Sequence, residues 1–132
     1  MLLDKAVETY LKGFEADWRD AYPGVNAVTL MELKEPPDPR LEELLPVVRY
    51  AVARKLAVGR PDYWDHATLL ELAVLARDEA AAAESLADAL ASLREGWEAE
   101  TTARNLRLIR EARAGRGEDV AWTQRFALQV EV

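Results

Sequence analysis

One segment of this sequence recurs along the chain at a nearly constant spacing, and that repetition constrains the fold more than any other feature. Thr29-Leu30-Met31-Glu32-Leu33 is echoed 39 residues later by Thr68-Leu69-Leu70-Glu71-Leu72. A weaker third copy begins at Asn105, 40 residues after Asp65. Such a period is typical of stacked helix pairs, because one pair cannot bury its apolar side alone. It is slightly longer than the tetratricopeptide length of about 34 residues and near the HEAT range of about 40–47 residues.

Helical spacing of apolar residues, together with start and stop signals, predicts where the helices lie. We expect Asp38, Asp62 and Asp78 to begin helices, and Gly59 and Gly96 to end them. The tail after Glu118 fits either a seventh helix to about residue 128 or a strand, and we favour the helix. The six earlier helices are predicted over residues 4–18, 23–34, 39–58, 63–76, 79–93 and 98–114.

These signals predict an all-α fold, namely a right-handed, tetratricopeptide-like helical repeat array of about seven helices. At 132 residues the chain suits a single domain, over residues 1–132. Because the first two copies align, we expect Leu30 and Leu69 to occupy equivalent buried positions. Gly13 lies inside the first helix, where glycine is unfavourable, so we expect a close approach of two helices there.

Composition excludes several classes of function. The chain has no cysteine and one histidine, His66, so disulfides, thiol catalysis and sites built from cysteines or paired histidines are excluded. The net charge of −7 disfavours a nucleic-acid partner. There is no apolar run long enough for a membrane span and no signal-peptide pattern, so we expect a cytoplasmic protein without membrane contact. No cofactor and no metal are expected.

Two stretches carry a resemblance to a known family. They are Ala-Val-Glu-Thr-Tyr-Leu-Lys-Gly-Phe-Glu-Ala-Asp at residues 6–17 and Tyr-Pro-Gly-Val-Asn-Ala at residues 22–27. Together they resemble the tetratricopeptide region of the apoptosis signal-regulating MAP kinase kinase kinases, called the TRAF-binding or TPR-S region, and its bacterial relatives. Tyr63-Trp64 with Thr68, and the segment at residues 102–106, fit the same pattern. The resemblance covers residues 6–122.

The resemblance implies a non-enzymatic scaffold or regulatory module that binds a protein partner or an adjacent effector domain. It places such a module in a signalling pathway or in a bacterial conflict (immune) system. The alternative that it implies is a sensor of a nucleotide-like small molecule in the concave groove of the array. Because the chain has no kinase, TIR or protease part, we expect an excised module or a stand-alone component.

Groove candidates follow from the repeat, because the first helices of tetratricopeptide pairs usually line the concave face. The polar candidates there are Asn26, Asp65, His66, Arg104 and Asn105. Amides and guanidinium groups suit hydrogen bonding to a backbone or a phosphate. The alternative for the asparagines is that they join neighbouring helices.

The remaining candidates are aromatic or basic. Tyr22 and Tyr63, with Trp64, could stack on a base, although packing between repeats is the more common role of such rings. The arginines at residues 104, 107, 110 and 113 are spaced to form a basic ridge. Catalysis by His66 is disfavoured, because the neighbouring Asp65 points away on a helix and the spacing places no nucleophile beside it.

Overall fold

Residues 2–131 are described by the structure, a computed structural model, and this part of the chain is helical with no strand. The predicted all-α chain of seven helices is confirmed, and the ambiguous tail is helical. None of these helices is long and apolar enough to cross a membrane. The helices are α1 (Leu2–Ala16), α2 (Ala21–Leu33), α3 (Leu41–Ala57), α4 (Tyr63–Leu75), α5 (Glu79–Ala91), α6 (Gly96–Gly115) and α7 (Ala121–Glu131).

The chain forms two compact units, each with one central helix. The first unit spans Met1–Gly59 and the second spans Arg60–Val132. In the first unit α2 packs against both α1 and α3. In the second unit α4 packs against α5 and α6, while α7 packs against α5 and α6. The expectation of a single domain stays a prediction.

The two central helices, α2 and α4, hold the repeated segment, and both are apolar around most of their circumference. A helix of this kind is stable only when neighbours cover it on several sides. The fully or nearly fully buried side chains of α2 are Ala21, Val25, Ala27, Val28, Met31 and Glu32, and those of α4 are Tyr63, Ala67, Leu70, Leu72, Ala73, Val74 and Leu75.

The repeat is visible in the core, but one residue away from the predicted position. Met31 and Leu70, its counterpart 39 residues on, are both fully buried. Leu30 and Leu69 are equivalent to each other but only half-buried, so the prediction that they are buried is wrong. The alignment correctly shows which residues of the two copies correspond. The neighbouring helices decide which of two adjacent residues, Leu30 or Met31 and Leu69 or Leu70, is buried against them.

Helices of the first unit meet closely at two glycines. A Cβ atom on Gly24 would lie 2.8 Å from Cδ1 of Phe14 on α1 and 2.9 Å from Cγ2 of Val48 on α3. A Cβ atom on Gly13 would lie 3.3 Å from Cβ of Pro23. The close approach predicted at Gly13 is therefore confirmed, and Gly24 is the point where all three helices of the unit converge.

Of the three predicted helix starts, the two that lie in the second unit, Asp62 and Asp78, are confirmed. Asp62 and Asp65 form a capping box, in which each carboxylate accepts the other residue's backbone N–H. Asp78 accepts the N–H of Ala81 at the start of α5. Gly96 begins α6 rather than ending the fifth helix, which stops at Ala91.

The predicted start of the third helix at Asp38 is wrong, because α3 begins at Leu41. The buried Asp38 carboxylate accepts the N–H of Arg40 at 3.0 Å and pairs with its guanidinium at 2.7 Å. Lys34 pairs with Asp38 at 3.2 Å and with Asp4 of α1 at 2.8 Å. The hydrogen bond from Arg40 holds the pKa of Asp38 well below its usual range. Asp38 thus organises the turn between α2 and α3 instead of capping a helix.

Glu71 of α4 is the repeat counterpart of the fully buried Glu32. Burial raises the pKa of Glu71 from its ordinary value of 4.5 to about 7. Within residues 2–131 its carboxylate has no hydrogen-bond or ion-pair partner, so burial is not offset by a nearby cation. The native state therefore favours the protonated, uncharged form of this side chain.

We expect Leu70→Ala to lower the free energy of unfolding by about 2–5 kcal/mol, because the substitution opens a cavity in a fully packed site. The matched control is Leu69→Ala, whose half-exposed side chain should cost clearly less. Urea unfolding followed by circular dichroism measures both values. Equal losses for the two variants would contradict the burial that distinguishes these adjacent leucines.

Glu71 also predicts how stability changes with pH. Since its pKa is higher in the folded state, the folded state binds the proton more tightly, and stability falls as the pH rises from about 4.5 to about 7. Glu71→Gln cannot ionise. It should therefore match the parent chain near pH 4.5 and exceed its unfolding free energy at pH 8 by an amount on the order of 1–3 kcal/mol. Urea titrations at several pH values test this, and parallel curves for the two proteins would refute it.

Candidate functional site

The outer face of α6 carries an exposed tryptophan and an exposed arginine on one side of a well-anchored helix. Its inner face is buried through Ala99, Ala103, Leu106 and Ile109. The start of α6 is held by Glu98, whose buried carboxylate accepts the N–H groups of Arg94 and Glu95, each at 3.0 Å. The opposite face presents Trp97, Thr101, Arg104 and Leu108 at i, i+4, i+7 and i+11. Side chains at this spacing lie along one line of a helix.

Trp97 is held from behind by a row of aromatic rings. Its ring centroid is 5.7 Å from that of Trp64 on α4, and Trp64 meets Tyr63 edge to face at 5.3 Å. The hydroxyl of the buried Tyr63 donates to Oγ1 of Thr102 on α6 at 2.7 Å. Trp97 itself remains 58 % exposed. One side of its ring is thus fixed by packing, while much of the rest is open to a binding partner.

A groove of about 540 Å³ lies along this face of α6. We call it the α6 groove, and its lining side chains are Trp97, Glu100, Thr101, Arg104 and Arg107. The Thr101 hydroxyl donates to the Trp97 carbonyl at 3.0 Å, which orients its remaining acceptor capacity. The volume lies within the range of about 300–1,000 Å³ that is common for ligand sites. The groove can therefore receive either a few side chains of a protein or a small molecule.

Arg104 supplies the unsatisfied charge in the α6 groove. Its side chain is exposed and makes no salt bridge with any group in residues 2–131. A guanidinium group binds carboxylates and phosphates in a bidentate geometry. In a chain of net charge −7, such a cation marks a place where a negatively charged group is attracted locally.

The structure distributes the predicted site residues over several places. Arg104 lies in the α6 groove, and the partly exposed Asn105 lies beside it on the same helix. Tyr63 is buried behind the groove, and Asp65 belongs to the capping box of α4. His66 faces α5 instead, where its Nδ1 lies 4.0 Å from Oδ2 of Asp88.

Tyr22 and Asn26, the two candidates of the first unit, are both exposed on α2. The ammonium group of Lys55 on α3 lies 4.7 Å from the centre of the Tyr22 ring. Neither residue is buried between helices, so the alternative role of Asn26 as a buried link between helices is wrong. Their part in binding stays a prediction.

The predicted ridge of four arginines is wrong at Arg113. Its side chain is buried, and its guanidinium donates to the carbonyl oxygens of Val74 at 2.9 Å and Leu75 at 3.0 Å. These carbonyls end α4, where the helix itself supplies no further i+4 donors. The Val74 carbonyl also accepts the backbone N–H of Arg77 at 3.1 Å. Arg113 thus closes the end of the central helix of its unit, and the groove contains only Arg104 and Arg107 of the predicted ridge.

Sequence reasoning missed Trp97 and Thr101 as site residues. Their spacing with Arg104 was readable, because this line lies opposite the apolar stripe of α6. What could not be read was that α4 places a second tryptophan against Trp97. As for metals, there is no group of three or more His, Asp or Glu side chains in residues 2–131 that is arranged to hold an ion.

Comparisons with known proteins place the chain in a family. Searches of curated proteins and of solved structures each returned no significant match. The family model described as the MAP3K TRAFs-binding domain matches residues 1–128. This confirms the resemblance that the segments at residues 6–17 and 22–27 carry. Because the match spans nearly the whole chain of 132 residues, the chain belongs to the MAP3K TRAFs-binding domain family.

Proposed function

We propose that the chain is a non-enzymatic, protein-binding module of a cytoplasmic signalling assembly, and that a partner protein binds in the α6 groove. The family description supports the class of function, since it names a domain that binds TRAF proteins. The observation that carries the choice of surface is the exposed Trp97 beside the unpaired Arg104. Tryptophan and arginine are among the residue types that most often dominate the binding energy of protein interfaces.

The groove selects for an acidic segment of the partner. An Asp or Glu side chain of the partner pairs with Arg104, and an apolar side chain packs on the open part of Trp97. Fixing of Trp97 by Trp64 favours this mode of binding, because a ring that is already ordered loses little conformational entropy when the partner binds. Glu100 at the rim repels carboxylates, so the partner's acidic group is directed toward Arg104 and Arg107.

Binding rather than catalysis is the role that the chemistry of the second unit supports. His66, the sole histidine of the chain, has a buried Nδ1 atom without a hydrogen-bond partner in residues 2–131. No serine or threonine hydroxyl is hydrogen-bonded to it in that part of the chain, so the pairing of base and nucleophile that covalent catalysis needs is not formed there.

In the second candidate function the chain is a sensor, and a nucleotide-like ligand binds in the same groove without being a substrate. It rests on the same pair of residues, because an exposed indole can stack on a base while Arg104 and Arg107 meet phosphate oxygens. Asn105 follows Arg104 on α6 but is not among the side chains that line the groove, so its amide contact stays a prediction. A bacterial conflict system is the setting that would suit such a sensor, and an adjacent effector gene would support that setting.

We expect the parent chain to capture a protein partner from an extract of its native host, and Arg104→Glu to abolish that capture by reversing the charge in the groove. Trp97→Ala should weaken it strongly. The matched control is Arg110→Ala, because Arg110 lies on the same helix but outside the groove lining. Quantitative mass spectrometry of the captured proteins gives the readout. Undiminished capture by Arg104→Glu would move the binding surface elsewhere, and no captured partner would refute the proposed function.

The two candidates separate in a thermal-shift experiment with a panel of nucleoside diphosphates and triphosphates. We expect none of them to raise the melting temperature of the parent chain. A bound nucleotide at a hundredfold excess over its Kd would stabilise the native state by about 2.7 kcal/mol, which is easily detected. A shift that appears with one nucleotide and is lost in both Arg104→Ala and Asn105→Ala would establish the sensor in place of the protein-binding module.

A further inference from the structure

The second half of α3 carries an exposed apolar face that has no part in the α6 groove. Val47 and Tyr50 of α3 are 48 and 60 % exposed, and Val58, which directly follows the last residue of the helix and continues this face, is 79 % exposed. Ala53 and Ala57 are exposed in the same stretch. A helix normally turns a stripe of this kind toward its own core, and α3 already packs against α2 through another face that includes Val48 and Val52. An exposed second stripe is the type of surface that marks an interaction site.

The same face is positively charged. Arg54 lies on it, exposed and without a salt bridge to any group in residues 2–131. Lys55 at its edge contacts the Tyr22 ring and has no carboxylate partner in the described chain. Residues 44–61 contain no Asp or Glu, although the whole chain has a net charge of −7. The C-terminal end of a helix attracts cations, which explains why Arg54 and Lys55 lie there. Their charges nevertheless remain directed to solvent.

We propose that this α3 face binds an acidic amphipathic helix of a partner protein. Val47, Tyr50 and Val58 receive the apolar side of that helix, and Arg54 and Lys55 pair with Asp or Glu side chains along its border. The stripe extends over about 16 Å, or three turns, which matches the length of a short helix. Its apolar positions follow helical spacing, as in other surfaces that bind amphipathic helices.

A protein helix suits this face better than an extended polyanion. A short helix interacts with the charges within a Debye length of about 8 Å, so it responds mainly to Arg54 and Lys55. A nucleic acid or an anionic membrane would also meet the excess of carboxylates that the rest of the chain carries. The small side chains of Ala53 and Ala57 further allow a partner backbone to approach closely, which a flat lipid surface does not require. This inference stands whether or not the α6 groove binds a partner.

The test uses a fluorescent synthetic helix of about 15 residues, with leucines on one side and glutamates on the other. Its twin has lysine in place of every glutamate. We expect the acidic peptide to bind the full chain, and Tyr50→Ala and Arg54→Glu each to weaken that binding about tenfold or more, as is usual for central interface residues. The lysine twin should not bind. Fluorescence anisotropy measures affinity, and backbone amide NMR shifts locate the peptide.

The matched control is Arg125→Glu, which reverses an exposed charge on α7 outside both proposed binding surfaces and should leave peptide binding unchanged. All the substituted side chains are exposed, and circular dichroism verifies that the variants remain folded. Failure of the acidic peptide to bind, or equal binding to Arg54→Glu, would overturn the proposal. So would binding of duplex DNA or anionic vesicles that Arg54→Glu abolishes, or a dimer of the chain itself that this variant disrupts, because each result names a different occupant.

Discussion

Burial of two helices that are apolar on nearly every side is the constraint on which the rest of the structure depends. Neither α2 nor α4 presents a polar face that could remain in water, so each needs neighbours on several sides. In the first unit α1 and α3 provide this cover, and in the second unit α5 and α6 provide it. The packing is close enough that Gly24 leaves no room for a Cβ atom between Phe14 and Val48. The surrounding helices each bury one side against these central helices, and their outer faces are free for other roles.

Burying a whole helix also buries polar groups, and side chains from neighbouring elements satisfy several of them. The last carbonyl groups of α4 accept hydrogen bonds from Arg113, and the Tyr63 hydroxyl is paired with Thr102. Both partners come from α6. A buried carbonyl or hydroxyl without a partner would cost roughly 1–3 kcal/mol, so these contacts define how α6 must lie on α4. Other polar groups stay without a partner in residues 2–131, namely the buried Thr29 hydroxyl and His66 Nδ1. Glu71 has no cation beside it in that part of the chain, and desolvation of its carboxyl raises its pKa.

The two proposed binding surfaces share one chemical arrangement. Each places an exposed aromatic ring near an arginine that makes no salt bridge within residues 2–131, Trp97 with Arg104 on α6 and Tyr50 with Arg54 on α3. In a chain with seven more negative than positive charges, most cations are expected to find a carboxylate, and Arg40, Arg77 and Arg94 do so. Arginines left free beside aromatic rings are therefore the sites at which an acidic partner gains most, because no internal ion pair must be broken to bind it.

The sequence by itself determined the helical class, the number of helices, two of the three predicted helix starts and the family. These properties depend on local spacing and on a repeat of 39 residues, both of which can be read without knowing any contact. The tertiary structure alone decided which side of each helix is covered. Helical spacing identifies a stripe but not the neighbour that covers it, so it could not place Met31 and Leu70 inward of Leu30 and Leu69. For the same reason Arg113, in line with three other arginines, turned out to be buried, and Trp97 became the exposed end of an aromatic row whose other members come from α4.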